Sequence, residues 1–286
     1  MLAECRLCPR ECRVNRLAGQ TGKCQTADSA IVSSYGPHFG EETPLVGKGG
    51  SGTIFFTHCN LKCIYCQNYT ISQLGEGEPA SAEKIARIML HLQESGCHNI
   101  NFVSPTHVVP FILEALVSAT AHGLTVPLVY NTGGYDSLET LHLLDGVIDI
   151  YMPDMKYTDT KVAEELSGIK NYPSINHAAV KEMHRQVGDL AIDERGIAQR
   201  GLLVRHLVLP GKLAGTEEVT RFLAEEVSPD TYLNIMAQYH PAHRAMDNTL
   251  LSRRVTHEEY REALDYARRH GMQRLDKDFY PGIPAR

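Results

Sequence analysis

The strongest constraint on the fold is a regular alternation of short apolar runs with amphipathic segments, which extends from residue 51 to residue 239. Each apolar run has the length and composition of a buried β-strand, whereas the segments between them carry apolar residues at helical spacing. One such helix is predicted to begin after the N-cap Ser81 and to end at Gly96. The six runs are TIFFT, NINFVSP, TVPLVYNT, VIDIYMPD, LLVRHLVLPG and TYLNIMAQY.

This alternation predicts βα units, because parallel strands need a crossover connection between them. Right-handed crossovers curl such a sheet into a barrel. Six units are two fewer than a closed (β/α)8 barrel contains, so we predict an α/β protein with a partial (β/α)6 TIM-type barrel. The missing strands would leave an open lateral mouth that admits a large substrate.

Two shorter regions flank the predicted barrel. Residues 1–50 contain four of the eight cysteines and are predicted to form a small cysteine-rich metal-binding lobe. Residues 51–245 are predicted to form the partial barrel, and residues 246–286 a C-terminal helical extension. In that extension, Thr256 and Glu259 have the spacing of a capping box, which predicts a helix start.

Composition narrows the class of protein. The net charge of −6 and the isoelectric point near 6.2 argue against a nucleic-acid partner. The sequence has no run of eighteen apolar residues, so no membrane span is predicted. Its polar, cysteine-containing beginning does not resemble a signal peptide. We therefore expect a cytoplasmic protein.

The cysteines are concentrated at the beginning of the chain, since seven of the eight lie within the first 66 residues. In a reducing compartment, clustered thiols more often bind metals than form disulfides. Cys97 is the exception and is predicted to be a small core residue. Cys59, Cys63 and Cys66 have the spacing C-x3-C-x2-C and follow the first strand directly. They therefore lie in a loop of the kind that carries the chemistry in βα barrels.

Three thiols are one ligand too few for a closed tetrahedral metal site. Zinc would need a fourth protein ligand, which His58 or a more distant residue could provide. A cubane iron–sulfur cluster held by three cysteines would instead leave one iron open to an exogenous ligand. The second interpretation explains the absent thiol, because that position would be where a substrate or cofactor binds.

This region resembles the signature of the radical S-adenosylmethionine (SAM) enzymes, C-x3-C-x-aromatic-C, with Tyr65 as the aromatic residue. The segment CIYCQN is similar to the pyruvate formate-lyase activating enzymes, and the chain most resembles an activase-like branch with an N-terminal cysteine lobe. The resemblance implies that Cys59, Cys63 and Cys66 hold a [4Fe–4S] cluster whose open iron binds SAM. It also implies oxidoreductase chemistry, in which reductive cleavage of SAM yields a 5′-deoxyadenosyl radical that abstracts a substrate hydrogen atom.

In the prototype reaction, the hydrogen atom comes from a glycine of a partner protein. Radical modification of a peptide, an RNA or a small molecule is an alternative, and a non-enzymatic iron–sulfur or zinc electron-transfer protein is another. The resemblance further implies a flavodoxin or ferredoxin-type electron donor. An activase would have a protein or peptide substrate.

Further motifs correspond to family positions near SAM. MPDMKY places Asp154 and Lys156 there, and the lysine can neutralise the SAM carboxylate. Asn131, in YNTGGY, stands where activating enzymes usually have Asp. The second strand ends in VSPTHVV instead of Ser-Gly-Gly-Glu, so Ser104 and Thr106 are expected near SAM and indicate a distinct subgroup. The other implied cofactor-binding residues end the fifth and sixth strands, namely Pro210, Tyr239 and His240.

A second cysteine group precedes the barrel. Cys5, Cys8, Cys12 and Cys24 have the spacing C-x2-C-x3-C-x11-C, which is a strong signal for a metal site. Zinc would stabilise a lobe that is too small to bury a core of its own. An auxiliary iron–sulfur cluster would use the same four ligands, and the spacing does not separate the two.

Overall fold

The computed structural model describes residues 1–276, and in this part of the chain every predicted apolar run forms a strand. One mixed, mostly parallel sheet contains all the strands. They are β1 (Ala30–His38), β2 (Ser51–Phe56), β3 (Glu78–Ala80), β4 (Ile100–Val103), β5 (Leu128–Thr132), β6 (Ile150–Pro153), β7 (Ala191–Ile192), β8 (Ala198–Leu207) and β9 (Tyr232–Met236).

Helices connect these strands and cover the outside of the sheet. They are α1 (Thr43–Val46), α2 (Tyr69–Ser72), α3 (Ala82–Glu94), α4 (Val109–Ala121), α5 (Leu138–Leu143), α6 (Thr160–Ser167), α7 (Tyr172–Val187), α8 (Thr216–Phe222) and α9 (His257–Arg269). Among the described residues, no helix is long and apolar enough to cross a membrane.

Six strands pair in parallel in the order β2, β4, β5, β6, β8 and β9. Residues 1–276 contain no ladder between β9 and β2, so the barrel is open there. This arrangement confirms the predicted α/β partial barrel. Since the strands are parallel, their carboxyl ends and the loops that follow lie at one edge of the sheet.

Both faces of the central strands are buried. All five residues of β5 and all four of β6 are buried, which is why these strands are continuous apolar runs in the sequence. Outside the sheet, α3 buries Ile85, Ile88 and Leu92 on its apolar face. The Ser81 side chain accepts a hydrogen bond from the Lys84 amide, so the predicted N-cap is confirmed.

Strand β1 was not predicted from the sequence. It pairs antiparallel with β2 on one edge and antiparallel with β3 on the other. Part of the region 1–50 therefore belongs to the central sheet, and the cysteines of that region precede β1. The division of the chain at residues 50 and 245 stays a prediction, and residues 277–286 of the predicted C-terminal extension lie outside the described residues.

The capping box at the start of α9 is present as predicted. The Thr256 hydroxyl accepts a hydrogen bond from the Glu259 amide, and the Glu259 carboxylate accepts one from the Thr256 amide. Two of the helix's first amide groups thereby gain partners.

We predict that Thr256→Ala lowers the free energy of unfolding by about 1 kcal/mol, because the cap hydroxyl is lost. Thr256→Ser keeps that hydroxyl and serves as the control. Urea unfolding followed by circular dichroism measures both variants. Equal stability of the Ala and Ser variants would contradict a stabilising cap.

Candidate active site

The loop between β2 and α2 carries the three closely spaced cysteines. Cys63 is buried, whereas Cys59 and Cys66 are half-buried. The loop turns immediately before the first cysteine, where His58 has a left-handed backbone with φ of +71°. The Cys59 thiol lies 3.4 Å from the Leu61 amide, which donates to it. Burial raises the pKa of Cys59 to about 12, so a bound cation is needed to stabilise its thiolate at neutral pH.

Hydroxyl groups contact the other two sulfurs of this loop. The Ser167 Oγ lies 2.9 Å from the Cys63 Sγ, and the Ser72 Oγ lies 3.2 Å from the Cys66 Sγ. Behind Ser167, the Tyr157 hydroxyl lies 2.7 Å from its Oγ and 2.6 Å from the Tyr65 hydroxyl. The predicted aromatic residue is thus buried in a hydroxyl network that ends on a cysteine sulfur.

A partly buried group of charges lies at the carboxyl end of β6. Lys156 Nζ is 2.7 Å from one oxygen of Asp154, and Arg205 Nε donates to the other at 2.9 Å. Burial alone would raise the pKa of Asp154, but the adjacent Arg205 and Lys156 charges lower it overall. Burial opposes the charge of Lys156, yet the Asp154 carboxylate raises the pKa of that lysine well above its usual range. All three groups are therefore charged at neutral pH.

Arg205 is a site residue that the sequence analysis missed. It lies on β8, and its Nη2 donates to the Asn131 side-chain oxygen at 2.7 Å. Its Nη1 lies 3.8 Å from a Glu41 carboxylate oxygen. A charged residue within the apolar run LLVRHLVL was the available signal, because such a residue must find partners when it is buried. Arg205 connects the predicted positions Asn131 and Asp154.

The second-strand residues lie at the same edge of the sheet. Ser104 has a left-handed backbone with φ of +57°, and its amide donates to the Asn131 carbonyl. The Thr106 hydroxyl donates to the buried Asp136 carboxylate at 2.7 Å. Thr132 makes a hydrogen bond of the same length to the other Asp136 oxygen. The Thr106 hydroxyl therefore donates its hydrogen bond to a buried carboxylate of the protein and not into the cleft.

The remaining three residues that were predicted to bind the cofactor, Tyr239, His240 and Pro210, have different environments. The Tyr239 hydroxyl donates to the Leu251 carbonyl at 2.7 Å, and its ring packs edge-on against Tyr65. His240 lies beside the cysteine loop, with its Nδ1 3.3 Å from the Gln67 side-chain nitrogen. Pro210 is buried in a short turn near α9, away from the charged group.

A polar cleft of about 720 Å³ joins the cysteine loop to the partly buried charges. Gln67 and Asn68, which follow the last cysteine, line one end, and Asn131 and Arg205 line the other. Other lining residues come from the segment after β1 and from β9, including Glu41, Glu42, Asn234 and Met236. The cleft thus places space for a polar ligand next to the end of the cysteine loop.

The residues of this site fit a thiolate-bound cluster. Three thiols lie on one short loop, hydrogen-bond donors contact the sulfurs, and the adjacent cleft can hold a further ligand. Within residues 1–276, no group of three or more Cys, His, Asp or Glu side chains is arranged to hold a metal ion. The assignment of Cys59, Cys63 and Cys66 therefore rests on their spacing and their common loop.

The four N-terminal cysteines lie in one region of the lobe, although their side chains, like those of the three-cysteine loop, are not arranged around a single metal position within residues 1–276. Cys5, Cys8, Cys12 and Cys24 line one small cavity, and His107 forms part of its wall. The N-terminal lobe contacts the loop that carries Cys59, Cys63 and Cys66, because Arg10 Nε donates to the Asn60 carbonyl at 2.6 Å.

A family comparison identifies the class of protein. The family model of the Radical SAM superfamily matches residues 53–223, more than half of the chain. The protein therefore belongs to the radical SAM superfamily of enzymes, and this membership implies a [4Fe–4S] cluster and SAM as cofactors. The matched region contains the three-cysteine loop and the partly buried charges described above.

A relative in Methanocaldococcus jannaschii, uncharacterized protein MJ0674, is 32% identical over 278 residues, covering 94% of this chain and 75% of the relative. Among solved structures, Streptococcus suis SuiB bound to the precursor peptide SuiA gives a TM-score of 0.50 at 14% identity, covering 74% of this chain. The structure of anSMEcpe with bound AdoMet and Cp18Cys peptide gives a TM-score of 0.53 at 11% identity, covering 77% of this chain. The chain spans 43% and 60% of these two structures, which show likeness of fold alone.

We predict that Asp154→Asn lowers the free energy of unfolding by about 2 kcal/mol, because Lys156 and Arg205 lose a partly buried counter-charge, which costs more than losing a surface pair and less than losing a fully buried one. Asp145→Asn is the matched control, since Asp145 pairs with Arg185 at the surface. That change should cost about 1 kcal/mol or less. Guanidinium unfolding measures both, and equal losses would show that the partly buried group contributes no more than a surface pair.

We also predict that Ser167→Ala makes the reduction potential of the cluster more negative. A hydrogen bond to a cysteine sulfur stabilises the reduced, more negative cluster, and this change removes it. Ser174→Ala is the control, because Ser174 is exposed on α7. An anaerobic redox titration followed by electron paramagnetic resonance measures the shift. An unchanged or more positive potential would contradict the role of Ser167.

Proposed function

We propose that this enzyme abstracts a hydrogen atom from a glycine of a partner protein, as the activating enzymes of glycyl radical proteins do. The main support is the contiguous arrangement of the three-cysteine loop, the open cleft and the Asp154–Lys156–Arg205 group. When bound, the cluster and SAM supply the electron and the organic radical that the reaction requires. The polypeptide provides ligands, orientation and exclusion of water.

In this proposal Cys59, Cys63 and Cys66 hold the cluster, and Tyr65 is packed behind them. Lys156 is the cation that pairs with the SAM carboxylate, and Asp154 holds its ammonium group in position at 2.7 Å. Arg205 donates to the other oxygen of Asp154 and so fixes the orientation of the carboxylate that holds Lys156.

The remaining proposed contacts come from the strand ends. Asn131 and Ser104 lie beside the cleft end that Arg205 lines, which suits contact with the polar part of SAM. Thr106 would contribute through its backbone, because its hydroxyl already donates to Asp136. His240 is placed next to the cysteine loop and suits a contact with the adenine or the substrate. Tyr239 and Pro210 would contribute through packing.

A polypeptide substrate suits the open barrel, because β9 and β2 leave a lateral opening along which a chain segment can enter. Two structures of similar fold contain bound peptides, SuiA in one and Cp18Cys in the other. Modification of a peptide residue other than glycine is therefore the second candidate function.

The reaction needs an external electron, for which we propose a flavodoxin or ferredoxin-type donor. An open cleft of about 670 Å³ lies between the N-terminal lobe and the loop that joins α6 to α7, and Arg10, Lys23 and Lys170 line it. Its positive charge suits an acidic protein partner. Arg10 also contacts the Asn60 carbonyl, one residue after Cys59, so a donor at this cleft would lie near the cysteine loop.

The superfamily chemistry is tested with anaerobically purified, dithionite-reduced protein. Incubation with SAM should release methionine and 5′-deoxyadenosine, which mass spectrometry detects. Cys63→Ala should abolish both products, because the cluster loses a ligand. Cys97→Ala should retain them, since Cys97 is buried in the core of the barrel. Product formation by the Cys63 variant would show that the cluster is not held as proposed.

The glycine proposal needs a separate measurement. Protein extract from cells grown on α-deuterated glycine is offered as substrate, and 5′-deoxyadenosine is analysed for deuterium. Deuterium transfer supports abstraction from a glycine. SAM cleavage without such transfer, but with transfer from another labelled amino acid, would contradict glycine and support the second candidate.

A further inference from the structure

The four N-terminal cysteines surround a single enclosed space. Cys5, Cys8 and Cys24 are buried, and Cys12 is half-buried. All four line one small cavity together with Arg16 and His107. A Cβ atom added at Gly22 would lie 2.7 Å from the Cys12 sulfur, so only glycine lets the backbone approach this thiol so closely. At this point the backbone therefore packs directly against the Cys12 side chain.

Arg16 is the unusual member of this cavity wall. Its side chain is completely buried, at 0% exposure. Nε donates to the Ala27 carbonyl at 2.7 Å, Nη1 donates to the His107 carbonyl at 2.8 Å, and Nη2 has no partner. Within residues 1–276, no carboxylate forms an ion pair with this guanidinium. A buried guanidinium that contacts only carbonyls and the Phe111 ring, with Nη2 left unpartnered, indicates that an anion is its partner.

His107 connects the same cavity to the active-site strand. Its ring is buried, and Nε2 lies 2.9 Å from the Thr57 carbonyl, two residues before Cys59. Because a carbonyl only accepts, Nε2 is the donor. The other ring nitrogen, Nδ1, is buried without a hydrogen-bond partner. Two polar side chains of one cavity wall thus each have an unpartnered buried atom.

We propose that this cavity is a second metal centre, with Cys5, Cys8, Cys12 and Cys24 as thiolate ligands and Arg16 as its buried counter-charge. Four thiolates on zinc, or on a [4Fe–4S] cluster, form a centre of net negative charge. That charge supplies the anion that the free Nη2 of Arg16 requires. The centre is separate from the three-cysteine cluster, because none of its ligands lies on the loop after β2.

The test uses the full chain with Cys59, Cys63 and Cys66 all changed to alanine, so that only the proposed second centre can bind metal. Anaerobically purified protein is analysed for zinc, iron and sulfide. About one zinc per chain identifies a mononuclear centre. About four irons with sulfide identify a cluster. Absence of all three elements in a folded protein would overturn the proposal, whatever the outcome for SAM cleavage.

Two further changes in the same background test the ligands. Cys12→Ala should lose the metal, whereas Cys97→Ala should retain it, since both remove one thiol but only Cys12 lines the cavity. Circular dichroism confirms that each variant is folded. Retention of the full metal content by a folded Cys12→Ala variant would overturn the assignment.

The role of Arg16 is tested by its own pair of variants. Arg16→Met removes the charge and keeps much of the volume, whereas Arg16→Lys keeps the charge. Competition with a chelator should show about a tenfold or larger loss of metal affinity for the Met variant and a smaller loss for the Lys variant. Equal affinity of wild type and Arg16→Met would overturn the counter-charge. If the Met variant does not fold, Arg16→Gln, which also removes the charge, takes its place, and metal affinity equal to wild type in a folded Gln variant would overturn the counter-charge.

Discussion

The parallel pairing of six strands is the constraint on which the rest of this structure depends. Because β2, β4, β5, β6, β8 and β9 run in one direction, every connection returns over the outside and every carboxyl end reaches the same edge. Residues that are far apart in the sequence meet there. Asp154 after β6 contacts Arg205 on β8, and Arg205 contacts Asn131 on β5. The cysteine loop after β2 opens into the same cleft.

The pairing of charges away from solvent is the second organising feature. These charges are compensated differently at the cleft and in the N-terminal lobe. At the cleft, Asp154 lies between Lys156 and Arg205, and Arg205 also lies 3.8 Å from a Glu41 carboxylate oxygen, so the two cations have two carboxylates as partners. In the N-terminal lobe, Arg16 has carbonyl oxygens but no carboxylate among the described residues, and four thiols face it. One arrangement is complete within the polypeptide. The other becomes complete when negative charge is added at the thiols.

The fold was predictable because the central strands are buried on both faces of the sheet and therefore appear in the sequence as continuous apolar runs. Each of the six apolar runs was identified, and the Thr256–Glu259 capping box was confirmed. β1 was missed because only its first residues are buried. The rest of that strand is half-buried or exposed, with glycine and proline near its end, so its sequence does not read as a strand.

Residues of the candidate site that belong to short sequence motifs could be predicted, whereas residues that join the site through long-range contacts could not. Cys59, Cys63, Asp154 and Lys156 belong to short contiguous patterns, whereas the partners Arg205 and Ser167 come from other elements. Side-chain pairing across the sheet is set by register, which a single sequence does not reveal. Likewise, nothing in the linear order placed the hydroxyl of Thr106 on Asp136 rather than in the cleft.

The central claim is that three thiols hold a cluster with one open iron where SAM binds. The most direct measurement is the electron paramagnetic resonance spectrum of the reduced protein before and after addition of SAM. To isolate this cluster, Cys12 is changed to alanine in the sample, which removes a ligand of the proposed second centre. We predict that SAM changes the spectrum, because it becomes a ligand of the open iron. A spectrum that SAM leaves unchanged, from protein with a full cluster, would contradict the account.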